Sequence, residues 1–299
     1  VNAVLHFDDE ARPAAALARA LGVPALPVRC HRFPDGEFKF TLPPELPPRV
    51  ALLRGLHQPN EKLAQLMLVA PAARELGARE LVLVAPYLAY MRQDIAFHPG
   101  EAVSQRHLGA ALAAWFDAVV TVDPHLHRIA SLDEILPGRR GVAVTAARAL
   151  GAFVARQVPG ALLLGPDEEA GQWVRQAADG AGLDHAVCRK QRRGDHEVEV
   201  TLPEVDVRGR AVVLLDDVAS TGRTLIAAAQ GAVAMGAASV DAVVTHALFV
   251  GDAVSALHAA GIGRLWSSDT VPHASNAVPV APLLAEALCR LQAAPAAPD

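Results

Sequence analysis

The chain repeats itself. Glu37-Phe-Lys-Phe-Thr-Leu-Pro43 returns as Glu197-Val-Glu-Val-Thr-Leu-Pro203, an offset of 197 − 37 = 160. Val50-Ala-Leu-Leu-Arg-Gly55 returns as Val212-Val-Leu-Leu-Asp-Asp217, an offset of 212 − 50 = 162. Leu76-Gly-Ala meets Met235-Gly-Ala, and Asp8-Asp-Glu-Ala meets Asp167-Glu-Glu-Ala, both at an offset of 159. Four short matches in one order at nearly one offset require two similar units. The 299 residues are enough for two domains of ordinary size. The expected division is 1–143 and 144–293, joined near residues 140 to 147, with a tail at 294–299.

Within each unit the pattern alternates between strand and helix. Ala3 to Phe7 reads as a strand and Glu10 to Leu21 as a helix stopped by Gly22 and Pro24. A strand into Cys30 precedes a segment in which Phe38, Phe40 and Leu42 alternate with Glu37, Lys39 and Thr41, the period of a half-exposed strand. Val50 to Leu53, Leu81 to Ala85 and Ala118 to Val122 are short buried runs, separated by helices Glu61 to Leu76 and Ser104 to Phe116 and by a long polar loop, Pro86 to Glu101. Strands and helices in this order predict α/β units, each a mainly parallel sheet flanked by helices.

The two copies differ most after one strand. In the second copy Ala211-Val-Val-Leu-Leu runs into Asp216-Asp217-Val-Ala-Ser220-Thr221-Gly222-Arg223-Thr224 and then an apolar helix. The run reads as a buried parallel strand whose carboxyl end faces a crevice, where α/β sheets bind ligands. Hydroxyls, a flexible glycine and free N–H groups at a helix start suit a phosphate, while two acids suit sugar hydroxyls. Mg²⁺ can bridge the two signs. The plainer alternative is an ordinary turn with Ser220 as N-cap. The first copy has Arg54-Gly55-Leu56-His57-Gln58-Pro59 instead, which leaves it free to bind something else, with chemistry expected in a cleft between domains.

Other residues stand out by type and place. Asp167, after Gly165-Pro166, lies at a strand end as either a ligand or a helix-start acid; Glu168 and Glu169 favour the latter. Asp123 and His125, spaced i, i+2 at another strand end on one face, suit a divalent ion or a purely structural role, whereas His127 reads as surface. Arg92-Gln93-Asp94 occupies a loop too long for a simple connector. Only three of the 27 cationic side chains are lysine, Lys39, Lys62 and Lys190. Lys190 stands beside Arg192 and Arg193 in a Gly-containing loop that reads as a mobile cationic lid, suited to charge developing on phosphoryl oxygens.

Composition removes several classes. A net charge of −5, three tryptophans and two tyrosines disfavour nucleic acid as a partner. The longest apolar stretch, Leu225 to Val240, contains Gln230 and two glycines and is too short for a membrane span. The N-terminus shows no signal-peptide pattern, and the odd, scattered Cys30, Cys188 and Cys289 fit a reducing cytoplasm. No Gly-x-x-x-x-Gly-Lys-Ser/Thr occurs, which excludes a P-loop kinase.

Six motifs together resemble the ribose-phosphate pyrophosphokinase (phosphoribosyl pyrophosphate synthetase) family, in its shorter archaeal-like form. They are Phe33-Pro-Asp-Gly-Glu37, Tyr90-Met-Arg-Gln-Asp94, Asp123-Pro-His125, Gly165-Pro-Asp167, Lys190-Gln-Arg192 and Asp216 through Thr224, spread over nearly the whole chain. The resemblance implies two phosphoribosyltransferase-type domains and transfer of the diphosphoryl group of MgATP to the 1-hydroxyl of ribose 5-phosphate, giving AMP. It implies ATP binding by Phe33, Asp35 and Glu37, with the adenine of a neighbouring subunit, and by Arg92 and Gln93. It implies Mg²⁺ at His125 and Asp167, and closure of Lys190 and Arg192 over the transferring group. Asp216 and Asp217 would hold ribose hydroxyls, and Ser220, Thr221, Gly222, Arg223 and Thr224 the 5-phosphate. A cytoplasmic homo-oligomer, a dimer or multiple of dimers, is expected. Two other readings compete: a phosphoribosyltransferase consuming phosphoribosyl pyrophosphate, and a non-catalytic regulatory relative. Ser220, Arg223, Met91 and Glu168-Glu169 depart from commoner family residues.

Overall fold

A computed structural model describes residues 1–193, 197–201 and 205–293, with backbone alone for 190–193 and 197–201. It divides into two compact units, Val1–Val144 with the segment from Val280 onward, and Thr145–Pro279.

In the first unit the order is β1 (Ala3–Phe7), α1 (Ala11–Leu21), β2 (Ala25–Arg32), β3 (Phe38–Thr41), β4 (Arg49–Leu53), α2 (Pro59–Glu75), β5 (Glu80–Ala85), α3 (Ser104–Trp115), β6 (Ala118–Val122) and β7 (Arg140–Val144). The second unit contains α4 (Ala147–Gln157), β8 (Leu162–Gly165), α5 (Gly171–Ala181), β9 (Asp184–Val187), β10 (Arg189–Arg193), β11 (Glu197–Thr201), β12 (Ala211–Ala219), α6 (Arg223–Ala234), β13 (Ser239–Ala247), α7 (Ala253–Ala259), β14 (Ile262–Ser268) and β15 (Asn276–Val278). Helix α8 (Ala281–Ala293) follows.

The sheets carry the repeat. The first runs β3-β2-β1-β4-β5-β6-β7, parallel except for β3, and the second β9-β8-β12-β13-β14-β15, parallel throughout. Pairing β1 with β8, β4 with β12 and β5 with β13 makes the common part of the two orders identical. Helices α1 and α5 are each 11 residues and 171 − 11 = 160 apart, and each closes on a left-handed glycine, Gly22 (φ 68°) and Gly182 (φ 64°). Their central strands are apolar on both faces because helices cover both; Val50, Ala51 and Leu52, and Val212 to Leu215, are fully buried.

Two elements differ from expectation. The Arg189–Arg193 run is a strand rather than a loop: β10 pairs antiparallel with β11, Lys190 opposite Val200 and Arg192 opposite Val198. At the repeat offset this hairpin is the counterpart of β2–β3. Helix α8 packs on α1, β6 and β7 of the first unit, where Arg140 donates to the Leu291 carbonyl at 3.3 Å. The sequence division assigned it to the second domain by adjacency alone. Helix α4 packs on α5, β13 and β15, so α8 fills in the first unit the place α4 fills in the second. Among the described residues no helix is long and apolar enough to cross a membrane.

Candidate active site

The tip of β12 is built by its pairing. Strand β12 continues two residues past the two acids, held by β13 as far as Ala219 opposite Ala247. Side chains alternate across the sheet there: Asp217 is buried and Asp216 is largely covered, with only part of the residue at the surface. Helix α6 then starts at Arg223 behind Gly222, whose φ of 70° is the left-handed conformation that glycine adopts without strain. No side chain caps the helix, so Ser220 is not the N-cap. The first backbone N–H groups of α6 are therefore donors without an intrahelical partner, at the positive end of the helix dipole. Thr221 and Arg223 are exposed beside them and Ser220 and Thr224 half-exposed.

Like charges crowd this tip. Burial pushes the Asp216 carboxyl well up from its usual range, and the charges of Asp217 and Asp167 push it further, although the Asp217 backbone N–H donates to its Oδ1 at 3.0 Å. Asp167 follows β8, the neighbour of β12, and accepts from the Glu169 and Ala170 N–H groups at 3.1 and 3.4 Å, so it does cap a short 3-10 turn. Burial and Asp167 also raise the Cys188 thiol to about 12, keeping it an unreactive thiol. A carboxyl whose proton affinity is raised by neighbouring carboxylates is a setting that a hydroxyl-rich ligand or a divalent cation relieves. Oxygen donors of this kind suit Mg²⁺.

The other candidate residues lie elsewhere in the chain. The side chains of Lys190 and Arg192 lie outside the described residues. In the first unit, Phe33 to Glu37 form the tip of the β2–β3 hairpin, closed by Phe33 N–H to Glu37 O at 2.8 Å and Gly36 N–H to Phe33 O at 2.9 Å. Phe33, Asp35 and Glu37 are all exposed there, and His31 meets the Phe33 ring edge-on at 4.7 Å. Arg92 and Gln93 are exposed on the loop after β5, next to Tyr90 with a φ of 60°. His125 is half-exposed, its ring 4.2 Å from that of His127, which is exposed as expected. The i, i+2 alternation does not reach His125, because β6 ends at Val122 and Asp123 turns the chain with a φ of 37°. Asp123 is buried while His125 is not.

Sequence reasoning did not anticipate what fills the matching tip of the first unit. Arg54, 3% exposed, stands where the second unit has Asp216 and ion-pairs with Asp9 at 2.6 Å and Glu10 at 3.2 Å. It also donates to Gln65 and lies 4.3 Å over the Phe7 ring. Glu10 takes the Gly55 N–H at 2.6 Å, and Lys62 donates to the Gly55 carbonyl at 2.6 Å beside His57. Burial lowers Lys62 to about 8 and His57 to about 4. Helix α2 repeats the left-handed entry at Gln58 (φ 51°), but Pro59 removes one N–H and Glu61 puts an acid in the first turn. This tip is closed by its own ion pairs. The alignment of Arg54 with Asp216, and of Glu10 with Glu169, was the available signal: one charge changes sign between the copies.

Comparison with known proteins gives the family. Residues 3–115 match the family model for the N-terminal domain of ribose phosphate pyrophosphokinase, and residues 133–253 that for the phosphoribosyl transferase domain. The chain is 38% identical over 289 residues to the ribose-phosphate pyrophosphokinase of Methanopyrus kandleri, covering 95% of this chain and 98% of that one. To that of Thermococcus kodakarensis it is 31% identical over 279 residues, covering 93% and 95%. The crystal structure of phosphoribosylpyrophosphate synthetase from Mycobacterium smegmatis shares the fold, with a TM-score of 0.82 at 21% identity over 98% of this chain and 99% of that chain.

Proposed function

The chain belongs to the ribose-phosphate pyrophosphokinase family, and from that premise we propose how its residues divide the transfer of a diphosphoryl group from ATP to ribose 5-phosphate. The 5-phosphate sits in the Ser220–Thr224 turn, where the unpaired N–H groups at the start of α6 and the hydroxyls of Ser220, Thr221 and Thr224 donate to it. Gly222 keeps the backbone close enough for those donors to reach. Asp216 and Asp217 accept from ribose hydroxyls, which eases the crowding of like charge at Asp216. The sugar is thereby oriented with its 1-hydroxyl free to attack.

The first unit handles the nucleotide. Phe33 offers an exposed ring for adenine, Asp35 and Glu37 offer acceptors to its amino group, and Arg92 and Gln93 contact the ATP phosphates. A new bond forms between O1 of the sugar and the β-phosphorus, the α,β-bridging bond breaks, and AMP leaves. Lys190 and Arg192, on the β10–β11 hairpin, neutralise charge on the moving phosphoryl oxygens. Asp167 and His125 would hold Mg²⁺, which when bound supplies charge neutralisation on the phosphates. The protein works in the cytoplasm as a homo-oligomer, with the Phe33 hairpin serving a neighbouring subunit's nucleotide.

One observation carries this reading: an uncapped helix start behind a left-handed glycine, directly after two acids, occurs in the second copy of the repeat, while Arg54 closes the first. The test is AMP release from ATP with and without ribose 5-phosphate and Mg²⁺. Release that requires both supports the reading. Base-dependent consumption of phosphoribosyl pyrophosphate with release of pyrophosphate, and no ATP requirement, would favour a phosphoribosyltransferase, and inertness in every mixture a regulatory subunit.

A further inference from the structure

We infer that His246 and Thr270 form a positioning pair that holds the Ser220–Gly222 turn in its phosphate-binding shape; this rests on the reading of that turn as the 5-phosphate cradle. The turn is walled by the chain that leaves β13. Beyond the last ladder pair, Leu248 N–H donates to Ala219 O at 2.9 Å and Val250 N–H to Ser220 O at 3.2 Å. The Ala219 and Ser220 carbonyls are thereby occupied, which keeps their negative ends from an incoming anion. On the other side, Leu257 of α7 lies 3.2 to 3.4 Å from where a Cβ on Gly222 would be. Segment 248–257 therefore sets the position of the turn.

That segment needs an anchor, because the backbone ladder stops short of it. Strands β13 and β14 pair only as far as Val244 opposite Ser267. One residue later the Thr245 carbonyl accepts from side chains instead, Ser268 Oγ at 2.6 Å and Thr270 Oγ1 at 2.8 Å. With the Thr270 proton given to that carbonyl, the His246 ring donates through Nδ1 to Thr270 Oγ1 at 2.8 Å. His246 and Thr270 are 1% and 2% exposed, so neither touches substrate. His246 stands opposite Val218, the residue after Asp217, on the adjacent strand. Side chains thus hold the register between β13 and β14 where backbone bonds have ended, at the point from which 248–250 zips along the turn. Buried polar networks of this kind contribute little net stability and much geometric specificity. At the matching place, 246 − 159 = 87, the first unit has Pro86-Tyr87 and no phosphate turn.

The test compares Thr270→Val, which keeps shape and removes the hydroxyl, with Thr270→Ser, which restores it. Ribose 5-phosphate binding is measured by calorimetry without ATP, alongside KM for each substrate. Thr270→Val is expected to weaken ribose 5-phosphate between about tenfold and about a hundredfold, the scale of a sub-ångström to 1 Å misplacement. KM for ATP should stay within about twofold, and Thr270→Ser should behave as wild type. If Thr270→Val does not fold, His246→Leu removes the donor of the same bond from the other side. Equal losses for both substrates, unchanged ribose 5-phosphate affinity, or failure of both variants to fold overturns the inference. The underlying reading fails separately, if the wild-type protein binds no ribose 5-phosphate or Thr221→Ala leaves that binding unchanged.

Discussion

Replacing Arg54 with methionine tests whether buried ion pairs hold the tip of β4 together. The change removes the cation from Glu10, which is 4% exposed and whose carboxyl burial already pushes up despite the pull of Arg54. Methionine fills much of the volume beside Phe7, so the packing loss is small and the stranded acid dominates. Breaking a buried pair from one side costs about 3–5 kcal/mol. At roughly 2–4 °C per kcal/mol for a unit of this size, the first unit should melt about 6–20 °C lower. Replacing both partners, Arg54→Met with Glu10→Leu, should recover most of this, because a well-packed apolar pair matches a buried ion pair in stability. Calorimetry of the single and double variants gives the melting shifts, and hydrogen exchange of β1 and β4 peptides assigns them to the first unit. A single-variant cost below about 1 kcal/mol would refute the buried-pair reasoning. So would weaker ribose 5-phosphate binding with the melting point unchanged, since that would put Arg54 on substrate.

Three further outcomes are expected. Lys190→Ala should lower kcat by on the order of 10²–10³ with circular dichroism unchanged, as removal of one aimed donor does; near-normal turnover would refute its role over the phosphoryl group. His57, lowered to about 4 from 6.5, stays neutral in the folded chain while the unfolded ring takes a proton. Stability therefore rises with pH between about 4 and 6.5 and is lost below, and His57→Gln should flatten that limb of a denaturation-versus-pH curve. Gly222→Ala forces a left-handed alanine and puts a methyl 3.2 Å from Leu257. It should cost about 1–2 kcal/mol in chemical denaturation and raise KM for ribose 5-phosphate more than KM for ATP.

The fold was legible because it is written twice. Apolar runs such as Val50 to Leu53 and Val212 to Leu215 mark strands buried on both faces, and the common offset orders them without any further information. Motifs on single turns, such as Ser220 to Thr224, were also legible, since local chemistry decides a helix start. What escaped was long-range. Glu10 and Arg54 are 44 residues apart and meet only because β1 and β4 are neighbours in the sheet. The left-handed turn at Asp123 escaped for the opposite reason, as an aspartate before proline gives little sign of a positive φ. His246 and Thr270 carry no local motif, and only the register between β13 and β14, whose ladder ends at Val244 opposite Ser267, brings them out.

The docking of α8 on the first unit orders events during synthesis. Residues 145–279 emerge as one uninterrupted stretch with every partner at hand, so the second unit can close while the ribosome is still translating. The first unit cannot. Its α1, β6 and β7 surfaces stay uncovered until residues 281–293 leave the exit tunnel, although its own strands were made first. The first unit matures last, and a message cut short after residue 279 yields a finished second unit joined to a first unit that still exposes apolar surface to chaperones and proteases.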